Sequence, residues 1–191
     1  MTKTKIRPPR ADAARNRDQL LAVATRVFAS GDAEPSMRAI AREAGVGIAT
    51  LHRHFATREV LVDAVYRSQV VGLTRGAREL LEQLPPAAAM RRWMDLFGDW
   101  IATKNGMLGT LLAMIENGEI AHDETRAELL AAITTILEAG REVAELRHDV
   151  TAEDIAAGLI GIFTVAPKPR EALAGRLLNL LMDGLRPPVA R

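Results

Sequence analysis

The chain has 191 residues, 48% hydrophobic and 26% charged, with a formal net charge of +1 and no cysteine. That composition belongs to a folded globular protein and excludes disulfides and thiolate metal sites. No apolar run approaches the ~18 residues that cross a bilayer, and no signal-peptide core follows the basic start, so a cytoplasmic protein without membrane contact is expected.

The charge is unevenly spread. Residues 1–60 hold 11 Lys/Arg against 6 Asp/Glu, and the remainder hold 14 against 18. A basic head on a mildly acidic body is the asymmetry expected when one part of a protein meets a polyanion.

Residues 1–10 carry Lys3, Lys5, Arg7 and Arg10 around Pro8 and Pro9 and read as a flexible basic arm. Over 11–30, Leu20, Leu21, Ala24, Val27 and Phe28 form one apolar stripe at helical spacing. Gly31 and Asp32 end that helix, and Ser36 is placed to cap a short one reaching Ala44. Gly45-Val46-Gly47 interrupts it, and a second short helix over 48–55 turns Leu51 and Phe55 inward. Thr57 caps a long fourth helix that runs to about 84, where Pro85-Pro86 stops it. Five further helices are expected over about 87–104, 107–117, 123–146, 152–165 and 170–185. Strand signals are nearly absent, and no fixed-period repeat appears. The expected fold is all-α with about nine helices. A three-helix helix-turn-helix domain (11–56) is joined to a larger helical effector-binding and dimerisation domain (57–191).

The segment 37–55 carries the most specific pattern. A helix-turn-helix needs a small residue where its two short helices approach, a residue tolerating positive φ in the turn, and apolar plugs from the second helix. Ala41, Gly45, Val46 and Leu51 meet those requirements in order, with Ile40 and Ala44 completing the inner face. The outward face offers Arg38, Thr50, His52 and Arg53 to DNA, with Arg58 at the start of the next helix. Ile48 and Ala49 at the head of the second helix can give only apolar contact, for example to a thymine methyl.

The stretch Ile40-Ala41-Arg42-Glu43-Ala44-Gly45-Val46-Gly47-Ile48-Ala49-Thr50-Leu51-His52-Arg53-His54-Phe55, followed by Arg58-Glu59-Val60-Leu61, resembles the N-terminal domain of the TetR family of bacterial regulators. The resemblance covers residues 11–66. It implies a homodimer whose recognition helices bind a pseudo-palindromic operator and let go when a small molecule enters the C-terminal domain. Carried over by position, it turns Arg38, Ile48, Ala49, Thr50, His52 and Arg53 toward DNA and gives Arg58 a phosphate. The chain departs from the family at His52, where tyrosine is usual. Because histidine titrates near neutral pH, operator affinity is expected to rise between about pH 7.5 and 6.

The rest of the chain is less specific. Trp93, Phe97 and Trp100 share one helix face, and with Met114, Asn117 and Phe163 they are candidates for lining an effector pocket; a plain core is the alternative. Ile155, Leu159 and Ile162 of the eighth helix, and Leu173, Leu177 and Leu181 of the ninth, are candidates for a dimer interface, unless those faces are buried within one chain. The long fourth helix joins the two halves, so a tilt of it would change the spacing of the recognition helices.

Enzymatic activity finds little support. The only serines are Ser30, Ser36 and Ser68, and the histidines His52, His54, His122 and His148 show no metal-binding spacing. No cofactor, metal or catalytic residue is expected. The readings left open are a ligand-released repressor, an effector-independent DNA-binding protein and, distantly, a helical enzyme; repression and activation are not distinguished. The effector and the operator sequence are not legible.

Overall fold

The computed structural model describes residues 9–30, 34–120, 122–166 and 171–188. Among these are nine α-helices and no strand: α1 (Pro9–Ser30), α2 (Met37–Glu43), α3 (Ile48–His54), α4 (Arg58–Gln83), α5 (Pro86–Asn105), α6 (Leu108–Glu116), α7 (His122–Glu142), α8 (Ala152–Val165) and α9 (Glu171–Leu185). No helix among the described residues is long and apolar enough to cross a membrane.

Helix α1 begins at Pro9, so Pro9 and Arg10 belong to its first turn and not to the basic arm. Proline fits a helix start because its missing N–H would have no intrahelical partner there. The rest of the arm, residues 1–8, lies outside the described residues.

Two compact units form. The first takes the chain up to Tyr66 together with Thr103–Met114; the second takes Arg67–Ala102 and Ile115 onward. The division falls inside α4, whereas chain order suggests a boundary before it. In the first unit Leu20, Ala24 and Phe28 of α1 are buried with Ile40 and Ala41 of α2, Leu51 of α3 and Phe55 just beyond it. The turn between α5 and α6 also joins this unit. A Cβ on Gly106 would lie 1.8 Å from the Phe28 carbonyl oxygen, so only glycine lets the two backbones approach this closely.

The second unit buries Leu73 and Ala77 of α4, Trp93 and Met94 of α5, Ile133 and Ile136 of α7, and Ile155 and Leu159 of α8. Helix α8 matches its expected span and starts in a reciprocal cap. The Thr151 hydroxyl accepts the Asp154 N–H, and the Asp154 carboxylate accepts the Thr151 N–H.

The seventh helix stops at Glu142, short of the expected 146. Ala144 turns into the left-handed region (φ 55°), and the N–H groups of Glu145 and Leu146 both donate to the Gly140 carbonyl. The Leu146 side chain folds back over Gly140, where a Cβ would meet it at 2.4 Å. This is the hydrophobic closure of a helix C-terminus, and it depends on the bare Cα of Gly140. Two arginines then secure the loop. Arg141 donates to the carbonyls of Arg147, His148 and Val150, while Arg147 grips both oxygens of Asp149 and donates to the carbonyl of Gly184.

Candidate nucleic-acid interface

Ser36 caps α2, accepting the Ala39 N–H at 3.2 Å, as its position before the short helix predicts. The turn after α2 closes on Gly45, whose φ of +66° is the left-handed conformation that its place in the motif requires. The Val46 N–H then donates to the Ala41 carbonyl at 3.0 Å. Ile40, Ala41 and Leu51 are almost wholly buried, and Val46 and Ala44 are half-buried. These inward residues fix the angle at which α3 leaves the turn. At the far end of α3, the Arg17 guanidinium lies 4.9 Å from the centroid of the buried Phe55 ring and ties α1 to that end.

The outward face of α2 and α3 is polar and cationic. Arg38, Ala49, His52 and Arg53 are exposed, and Ile48 and Thr50 are half-buried. His52 has a defined tautomer. Its Nδ1 lies 3.0 Å from the Ala56 carbonyl oxygen, which can only accept, so Nδ1 carries the proton and Nε2 is the atom left for a partner.

Arg58, expected at a phosphate, makes several bonds within the chain. The Thr57 hydroxyl caps the N-terminus of α4 through the Val60 N–H at 3.3 Å, but the Arg58 side chain turns into the protein and is only 21% exposed. Its Nε donates to Thr110 Oγ1 at 2.8 Å, one terminal nitrogen donates to the Pro35 carbonyl, and the other to Glu34 Oε2 at 3.1 Å. The Phe28 ring centroid is 5.6 Å from the guanidinium carbon. Three of the five N–H groups of this guanidinium are engaged by these bonds. Glu34 and Thr110 were not legible as functional partners, because they stand 76 residues apart and neither belongs to a local motif.

The aromatic residues of the second unit form a packed cluster. Trp93, Phe97 and Trp100 are 0, 3 and 5% exposed. Ring centroids are 5.7 Å apart for Trp93 and Phe97, 5.2 Å for Phe97 and Trp100, and 6.3 Å for Phe97 and Phe163. Trp93 Nε1 donates to the Leu73 carbonyl at 2.9 Å. The half-buried Phe163 ring rests on Gly98, occupying the place where a Cβ would be 2.4 Å from it. Met114 is buried, but Asn117 is exposed in the turn after α6, and a solvated side chain encloses no ligand. An open cleft of 530 Å³ lies between α7 and the loop into α8, edged by Leu130, Thr134, Arg141, His148 and Glu153; none of the six expected pocket residues borders it.

The expected dimer residues divide. Ile155 and Leu159 are fully buried inside the chain and have no surface to offer a second copy. Ile162, Leu173, Leu177 and Leu181 are half-exposed. The exposed apolar groups of α8 and α9 are Ile160, Val165 and Leu180, at 54, 57 and 67%. Leu181 of α9 packs on α8 beside Gly158, where a Cβ would meet it at an ordinary 3.5 Å, so this part of the small-residue pattern faces contact within the chain.

An all-helical chain with a tight helix-turn-helix, a buried inner face and a cationic outer face defines a DNA-binding protein of the helix-turn-helix class. The comparisons with known proteins agree. Residues 20–65 match the family model for bacterial regulatory proteins of the tetR family, and residues 85–187 match the C-terminal domain of SbtR-like transcriptional regulators. A TetR transcriptional regulator of Streptomyces coelicolor is 41% identical over 91% of this chain and 99% of its own, with a TM-score of 0.80. A TetR regulator of Mycobacterium vanbaalenii is 33% identical over 94% of this chain and 100% of its own, with a TM-score of 0.70. A ketosteroid transcriptional regulator of Mycobacterium tuberculosis, 17% identical over 90% of this chain and 95% of its own, shares the fold at a TM-score of 0.60. No protein with a curated description matches the sequence. The chain belongs to the TetR family of transcriptional regulators.

Proposed function

We propose that this regulator binds a pseudo-palindromic operator as a homodimer in the cytoplasm, represses transcription from it, and is released when a small molecule binds the C-terminal unit. The observation that carries the DNA reading is the outward face of α2 and α3. It brings Arg38, His52 and Arg53 together, exposed, over a helix-turn-helix whose inner face is closed. Arg38 and Arg53 serve phosphates or guanine edges, Thr50 and His52 add hydrogen bonds, and Ile48 and Ala49 give apolar contact. Arg58 drops out of this set.

The effector is proposed to lodge against the aromatic cluster of α5, with Phe163 as the ring that yields because it is less buried than its partners. Release then needs only ~1–3 kcal/mol of coupling between effector and operator. Effector-independent DNA binding is the competing reading. A thermal melt with a panel of apolar and aromatic compounds separates the two, since a ligand present at a hundredfold its Kd stabilises by about 2.7 kcal/mol.

The deciding experiment titrates the full-length protein against the DNA upstream of its own gene between about 50 and 200 mM salt, with Arg53→Ala beside it. Specific, salt-steep binding is expected. The Arg53→Ala variant should bind more weakly, with its log–log salt slope reduced by ~0.9 for each phosphate it no longer neutralises. Affinity equal to that for random DNA, unchanged by the substitution, would remove the proposal.

A further inference from the structure

Arg58 is a cation at the head of α4, beside the helix-turn-helix, and all three of its guanidinium nitrogens donate within the chain. Its partners come from two separate places. Glu34 and Pro35 lie just ahead of α2, and Thr110 lies in the first turn of α6. Glu34 also reaches α6 directly. Its Oε1 accepts the Thr110 backbone N–H at 3.1 Å, and its Oε2 accepts the Thr110 hydroxyl at 3.4 Å. Gly109 leaves room for this carboxylate, since a Cβ there would sit 3.2 Å from Glu34 Oε1. One turn earlier, Gly106 rests against the Phe28 carbonyl at the end of α1. The start of α6 is thus held at two points, by backbone contact at Gly106 and by a charged hydrogen-bonded cluster at Thr110.

We propose that Arg58, Glu34 and Thr110 form a latch that fastens α6 to the segment leading into the helix-turn-helix, and that Arg58 is a positioning residue and not a DNA ligand. The chemistry favours such a role. Arg58 Nε donates to the Thr110 hydroxyl, which itself donates to Glu34, so each bond of this relay polarises the next. Removing Arg58 or Thr110 leaves a part-buried donor or acceptor without its partner, while Glu34 lies at the exposed edge of the cluster. Helix α6 runs on from the latch to Ile115 and Glu116, which belong to the second unit. The assignment rests on the DNA-binding reading for its functional consequence, though not for its structural content.

The test uses full-length Arg58→Met, Glu34→Gln and Thr110→Val, with Arg53→Ala as the DNA-contact control. Hydrogen exchange on the free protein should show amides of residues 106–112 exchanging about tenfold faster in Arg58→Met and in Glu34→Gln. The double variant should be no faster than either single one, because both break the same cluster. Against the upstream DNA fragment, all three latch variants should bind about three- to tenfold more weakly, since an unfastened reading head loses more freedom on binding. Their salt slope should match that of the unsubstituted protein. A slope reduced in Arg58→Met by ~0.9 per phosphate, as in Arg53→Ala, overturns the assignment, as do unchanged exchange at 106–112 or additive effects of the two substitutions. Glu34→Gln and Thr110→Val keep the Arg58 charge, so they decide the matter even if Arg58→Met fails to fold. If the unsubstituted protein shows no preference for the fragment, the DNA reading of that fragment fails, and the exchange data still support or sink the latch.

Discussion

At the recognition helix, the imidazole of His52 is fixed by a single hydrogen bond. With Nδ1 donating to Ala56, a neutral ring shows DNA an Nε2 lone pair, which suits a base amino group and repels a phosphate oxygen. His52→Ala should therefore weaken operator binding by the loss of that acceptor. Fluorescence anisotropy checks it; an affinity unchanged by the substitution would sink the idea. Gly106 is a second position where one atom decides. A methyl group there collides with the Phe28 carbonyl, and neither backbone can swing aside as a side chain would. Gly106→Ala should cost about 3 kcal/mol or more, read from denaturant unfolding at an unchanged m-value.

Among the elements, the α7–α8 loop adds an exposed ion pair to the closure made by the buried Leu146. The Arg147 guanidinium, paired with both oxygens of Asp149, holds that carboxyl at about 2, below its usual 3.8. A depressed acid contributes stability that is full above the unfolded value and disappears as pH falls through the folded one. The pair should therefore lose its contribution between about pH 3.8 and 2. Asp149→Asn should flatten the acid limb of the melting curve in that window, and an identical limb in both proteins would contradict the assignment. The Arg147 backbone and side chain also donate to the Leu185 and Gly184 carbonyls at the end of α9, where a cation meets the negative end of a helix. The same loop explains why α7 stops at Glu142: apolar periodicity continues to Leu146, but Leu146 satisfies it by folding back.

For the whole molecule, regulators of this family dimerise, and the exposed apolar groups are the surface we propose for it here. Leu180 is 67% exposed, on the same stripe of α9 as the half-exposed Leu173 and Leu177; Ile160 of α8 is 54% exposed. Proposed as the interface, this surface should fail when a charge is placed in it. Leu180→Glu should shift sedimentation to the monomer and weaken operator binding by at least about tenfold, since two half-sites would then be bound independently. A stable dimer in that variant would move the interface elsewhere. The corresponding change at Leu159 tests nothing about assembly, because that side chain is inside the protomer and its loss is a core defect.

The sequence by itself determined the nine helices seen among the described residues, the caps at Ser36 and Thr57 and the positive φ at Gly45; the expected exposure of the recognition helix holds for His52 and Arg53, but Thr50 is half-buried. These depend on residues within one or two helical turns, where spacing translates directly into geometry. Which half of each apolar helix faces the core of its own chain was not decided locally. Ile155 and Leu159 look, in sequence, like the half-exposed Ile162 and Leu177, and only packing against neighbouring helices separates them. The same holds for Arg58. Its place at the head of a helix next to the motif says phosphate, but the tertiary structure brings Glu34 and Thr110 to it from both sides in sequence, and a guanidinium goes to the partners that satisfy its fixed fork of donors.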